Sequence, residues 1–378
     1  MAAAKAKRDG LAKSGTKTLI TVAAKPREMR VLPRGDWMDQ SGAVVSPQIP
    51  AFLGELPVPE EARLSRLDLA NWLVSRDNPL TARVFVNRLW KRFFGTGFSK
   101  VLDDLGSQGE APVHPDLLDA LAVDFMESGW DMKALVKAIV MSDAYRRSSE
   151  SRPDLRDADP NNRLLARQRR LRLPAELIRD NALAASPACS IPPSAASAPS
   201  HISRMATMST STSRGESYEE DKDANQWRRG LYTHWQRTFL HPMLLAFDAP
   251  SRDECAADRP VSNTPTQALV MLNDPTFVEA ARAFAARIVR EGGASPEDRV
   301  AFALREALAR PPSDDERAVL LALHREQAAA FQADPAAAEQ YTGVGIAPKP
   351  EGLDPAEHAA WTSVARAILN LNEMLVRY

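Results

Sequence analysis

From Leu64 onward the apolar residues of this chain recur at intervals of three and four, the spacing that lines one face of an α-helix. Leu117, Leu118, Leu121, Ala122, Phe125 and Met126 form one such stripe between Pro115, suited to a first helical position, and Gly129, suited to a stop. Phe277, Val278, Ala281, Phe284, Ala285, Ile288 and Val289 form a second, ended by Gly292 and Gly293. A third holds Trp361, Val364, Ala365, Ile368, Leu369 and Leu375. Start signals are equally regular. Ser65 with Asp68, Thr264 with Gln267, and Ser313 with Glu316 have the spacing of capping boxes, and Leu64 with Leu69 that of a hydrophobic staple. Asp274, Ser295 and Asp354 each place a capping side chain directly before proline. Further helices are predicted from Asn78-Pro79 to Phe94-Gly95, from Asp131 through Val140, over Asn161 to Arg167, and over Pro174 to Ala185.

Before Leu64 the pattern is different. The runs Thr18 to Val22 and Glu28 to Leu32 are of β type, and Pro33, Gly35, Gly42, Pro47, Pro50 and Pro57 punctuate them. The prediction is a mainly α protein: a multi-helix globular domain over residues 58–378, preceded by an extended strand-and-turn arm over residues 1–57. Residues 186–215 break the helical grammar, being rich in Ser, Ala, Pro and Thr with no amphipathic period. They read either as a disordered linker or as a compensated frameshift over residues 187–213, because one choice of codons there, read two nucleotides on, gives Tyr-Gln-Pro-Asp-Gly-Tyr-Tyr. In the second case Cys189 and His201 have no chemistry to explain.

Composition narrows the function classes. A chain of 378 residues that is 44% hydrophobic buries a sizeable core. With 48 basic against 49 acidic residues it has no overall field to draw in nucleic acid or anionic membrane, so such binding would have to be local. No apolar run approaches the ~20 residues that span a bilayer. Met1 to Lys13 is basic and Ala-rich without an apolar core after it, so the chain shows no targeting signal. Cys189 and Cys255 allow one bridge and exclude a disulfide framework.

No residue pattern specifies a reaction. Metal-ligand spacings are missing, and His234, His241 and Cys255 read better as ordinary hydrogen-bonded or inert groups than as a metal site, so no metal and no cofactor is expected. His114 sits at a helix start, while His324 and His358, in Ala- and Glu-rich helices, read as solvent-facing. Cys255 has Arg252 and Arg259 nearby, the right sign to lower a thiol pKa, yet without a nucleophile signature it reads as a buried inert thiol. The basic run Arg167 to Arg172 reads as a solvated or salt-bridged face. Trp227, Tyr232, Trp235 and Phe239 would either pack in a helical core or line a ligand-stacking surface, and the core is the simpler reading.

Several ordered segments resemble one family. Leu32 to Asp36, Arg66 to Val74, Asn78 to Arg83, Val86 to Trp90, Gly129-Trp130, Asp159 to Asn161, Trp227 to Pro275 and Leu369 to Glu373 are similar to the planctomycete-type family known as domain of unknown function 1553. The resemblance implies the C-terminal part of a longer cell-envelope or periplasmic protein, whose relatives often carry a signal peptide and a haem-binding module that this chain lacks. It carries over no catalytic residues. Where polar residues crowd the signature, Asp248, Arg252, Cys255, Arg259 and Asn263 are the candidate binding residues, with Asn87, Arg88 and Trp90 next. The expectation is a non-catalytic helical module that binds a partner protein or a glycan. The alternative is a component of a polysaccharide-active enzyme working with a haem domain. No nucleic-acid partner is expected.

Overall fold

A capping side chain followed by proline fixes where a helix begins, and in the computed structural model the protein is mainly α. The structure describes Lys5, Gly10 and residues 20–22, 24–57, 63–104, 106–151, 153–155, 157–186, 222–233, 235 and 240–378. The irregular segment 187–213, with Cys189 and His201, lies outside the described residues, as do His234 and Phe239. Thirteen α-helices and two small antiparallel sheets are found among the described residues. Contacts divide the chain into two units, Met1–Thr81 and Ala82–Tyr378.

In the first unit β1 (Met29–Arg30) pairs with β2 (Val44–Val45), Met29 opposite Val45. A Cβ at Gly42 would stand 1.9 Å from the Val31 carbonyl oxygen, so only glycine lets these segments meet. Ile20–Val22, the described part of the other β-type run, forms no strand. Helix α1 (Arg66–Leu73) opens on the capping box expected of Ser65 and Asp68.

In the second unit, α2 (Thr81–Phe94), α3 (Pro115–Glu127) and α4 (Met132–Val140) close a first apolar cluster. Trp90 sits inside it, stacked on Phe94 and tilted against Phe98, with centroids 4.2 Å apart in each case. A larger cluster gathers α5 (Ala175–Ala184), α6 (Pro242–Ala246), α7 (Pro265–Asn273), α8 (Pro275–Glu291), α9 (Pro296–Leu308), α10 (Asp314–Ala333), α12 (Pro355–Leu369) and α13 (Asn372–Leu375). Between α10 and α12 runs α11 (Pro335–Tyr341). Helices α8 and α12 pack on each other, and Ala280, Ala281, Ala285, Ala359, Ala360 and Ala365 are all buried there. Small side chains let two helix backbones approach closely. The caps at Asp274, Ser295, Ser313 and Asp354 all form as the sequence predicts. Finally β3 (Leu171–Arg172) pairs antiparallel with β4 (Val376–Arg377), the last strand of the chain.

Tertiary structure overrides the sequence pattern at five places. No helix forms over residues 161–167, because Asn162 (φ 51°) and Leu165 (φ 57°) are left-handed. The Asn162 side chain instead bridges to Arg167, donating to its carbonyl and accepting from its N–H. Thr264 makes no side-chain cap bond, since Gln267, 1% exposed, turns inward to the Ala246 carbonyl at 3.0 Å. The described residues of the aromatic segment form two 3₁₀ turns, Ala224–Trp227 and Gly230–Tyr232, and Trp227 and Trp235 pack against the larger core. His324 and His358 are buried rather than solvent-facing, His324 against Trp361 and His358 with Nε2 2.9 Å from the Arg282 carbonyl oxygen. Burial pushes both imidazoles below the ordinary histidine value. Cys255 is exposed, not buried.

Candidate functional site

Three segments converge on one cleft of about 420 Å³ in the second unit: the polar face of α2, the β3–β4 pair, and the loop after α6. The volume falls in the range of roughly 300–1,000 Å³ usual for small-molecule sites. Helix α2 contributes because its apolar residues Val86, Trp90 and Phe94 turn into the core and leave Arg88, Lys91 and Arg92 to face outward. Gly95 ends that helix at φ +79°, and a Cβ there would stand 2.3 Å from Leu171 Cδ2. The glycine therefore lets β3 lie against the end of α2. Strand pairing then sets Leu171 opposite Arg377, so Arg172 and Arg377 enter the same cleft from segments far apart in sequence.

The loop is held in place by polar bonds. Asp248 is left-handed (φ 61°) and accepts the Ser262 N–H at 2.7 Å and the Ser262 hydroxyl at 2.8 Å. Gln267 donates to Ser262 Oγ at 3.1 Å and accepts from Arg172 at 2.5 Å, extending the chain of bonds to β3. Asp258 pairs with Lys91 of α2, and Arg259 with Glu176 of α5 at 2.8 Å. Burial works against the ionised Asp258 carboxylate, but the hydrogen bond from Lys91 and its charge outweigh it, and the carboxyl lies below its ordinary value. Burial also lowers Arg172, which Asp248 opposes.

The cleft is strongly cationic. Arg88, Lys91, Arg92, Arg172, Arg259 and Arg377 line it against only Asp248 and Asp258, although the whole chain has a net charge of −1. Leu171, Leu173, Pro174, Phe247 and Val261 supply apolar surface between the charges.

Of the residues singled out from sequence, Asp248, Arg259 and Arg88 meet here. Asn87 and Trp90, one and two positions from Arg88, are structural. Asn87 is buried and its amide clamps Ser99, donating to the carbonyl and accepting from the N–H. Arg252, Cys255 and Asn263 are exposed and do not line the cleft. Arg252 (φ 62°) lies over the Trp235 ring, 3.9 Å from its centroid, and Trp235 donates to the Ser251 carbonyl. Sequence reasoning missed Lys91, Arg92, Arg172 and Arg377. The spacing of Arg88, Lys91 and Arg92, which puts three cations on one helical face opposite an apolar one, was the available signal. Among the described residues no group of three or more His, Cys, Asp or Glu side chains could hold a metal ion. Nor is any described helix long and apolar enough to cross a membrane.

The fold and the cleft define a class: a multi-helix domain carrying a cation-lined cleft between a helix, a strand pair and a loop. The chain belongs to the PSD1 family, described as protein of unknown function (DUF1553), whose model matches residues 65–324. No curated protein and no solved structure matches it.

Proposed function

We propose that this protein is a non-catalytic binding module of the bacterial cell envelope, taking a glycan or a partner protein in the cleft between α2, β3–β4 and the 247–262 loop. One observation carries the reading: a cleft of ligand size whose two lining carboxylates are committed to holding its walls. Both lining carboxylates already accept bonds, Asp248 from Ser262 and Asp258 from Lys91. A general acid needs a carboxyl kept protonated near neutral pH, and Asp258 is shifted the other way. The lining includes neither histidine nor cysteine.

A polysaccharide screen tests this, reading binding and reducing-end release together. Val261 is exposed and lines the cleft, so Val261→Trp fills the site without touching the core. Binding without turnover, lost in Val261→Trp, supports the module. Release of reducing ends by the wild type would overturn it in favour of an enzyme.

A further inference from the structure

Four of the cleft cations, Arg88, Arg92, Arg172 and Arg377, make no ion pair with a carboxylate among the described residues. Arg88 and Arg92, four apart on α2, are exposed at the cleft and make no hydrogen bond there. Like charges four apart on a helix repel, and the carboxylate that bears on Arg92, Asp258, is already paired with Lys91. Guanidinium groups donate hydrogen bonds and accept none. The lining carboxylates, which could accept from a peptide N–H, are occupied. A peptide main chain, which alternates donors with acceptors, would leave its donors poorly matched. A ligand rich in acceptors and negative charge would not. Leu173 and Val261 add an apolar surface that suits the C–H face of a sugar ring.

We propose that the cleft recognises an acidic sugar, its carboxylate or sulfate oxygens held by Arg88, Arg92 and Arg172 and its ring against Leu173 and Val261. This deepens the binding reading and rests on the cleft being the binding site. Arginine is suited to the task because its planar fork meets two oxygens of one oxyanion at once.

The test is calorimetric titration of the full chain with four probes: a tri-uronide, a sulfated trisaccharide, a neutral trisaccharide, and a glutamate-rich peptide. Each is run at low and at high ionic strength. The acidic sugars bind and weaken with salt, and the choice between the first two probes tells carboxylate from sulfate. Arg88→Ala with Arg92→Ala weakens them about tenfold for each arginine removed. Arg325→Ala, exposed on α10 and outside the cleft, leaves binding unchanged. Equal binding of the neutral sugar, or no effect of the double substitution, overturns the acidic ligand. If Val261→Trp still abolishes that binding, the cleft survives as the site. Binding of the peptide alone, dependent on Arg88 and Arg92, overturns the sugar in favour of an acidic protein partner. No binding by any probe overturns the acidic ligand.

Discussion

Gly95 shapes one wall of the cleft. It combines a left-handed backbone with the close approach of Leu171, and an added methyl group would meet both obstacles at once. Gly95→Ala is expected to cost about 1 kcal/mol in urea unfolding, since the native φ of +79° strains a residue with a Cβ. Asn87→Ala should cost about 1–3 kcal/mol in the same measurement, because it strands the buried Ser99 N–H and carbonyl. Wild-type stability in either variant would remove these structural roles. The sequence marked Gly95 as a helix stop, but neither its contact with Leu171 nor the role of Asn87 was legible there. Asn87 stood out as a polar residue within a conspicuous segment, but its partner is 12 residues away across a turn, a separation no helical periodicity reports. Cys255, by contrast, drew notice through its neighbours in sequence, and those neighbours turn elsewhere: Arg252 to Trp235 and Arg259 to Glu176.

Helices were the most legible level, because caps act within one turn of the chain. Ser313 and Glu316 form the capping box that begins α10, and Glu316 is also gripped by Arg310, which reaches Glu373 beyond α12. The Arg310 hydrogen bonds, then the Ser313 N–H, hold the Glu316 carboxyl down to about 2 from its ordinary 4.5. A depressed folded value means stability present above pH 4.5 and lost as the pH falls from there through about 2. In urea titrations across that window, Glu316→Gln should flatten the loss, and an unchanged slope would contradict the coupling. Caps failed as signals where a distant element claimed the side chain, as when Arg172 and Ser262 drew Gln267 away from Thr264. Packing of α8 on α12 makes the same point for burial. Trp361 lies at the centre with no exposed surface, and Trp361→Ala should cost about 3–5 kcal/mol by chemical denaturation.

Charge at the scale of the whole molecule conceals the site. A net charge of −1 predicts no attraction for anions, yet six cations meet two carboxylates in one cleft. Mainly α architecture was readable from periodicity and caps, whereas this concentration of charge was not. Its arginines come from α2, from the run ending in β3, from the loop after α6 and from the last strand, and the pairing of β3 with β4 brings Arg172 and Arg377 together. Attraction of this kind is local and screened, with a Debye length of about 10 Å at 0.1 M salt, so ligand affinity should fall as salt is raised while the fold stays intact by circular dichroism. The most direct measurement is a calorimetric titration of an acidic trisaccharide into the wild type and Val261→Trp side by side, with their melting temperatures taken in the same buffer. A cleft that binds through its cations requires one saturable site in the wild type, none in the variant, and equal melting temperatures; equal binding by both proteins would contradict it.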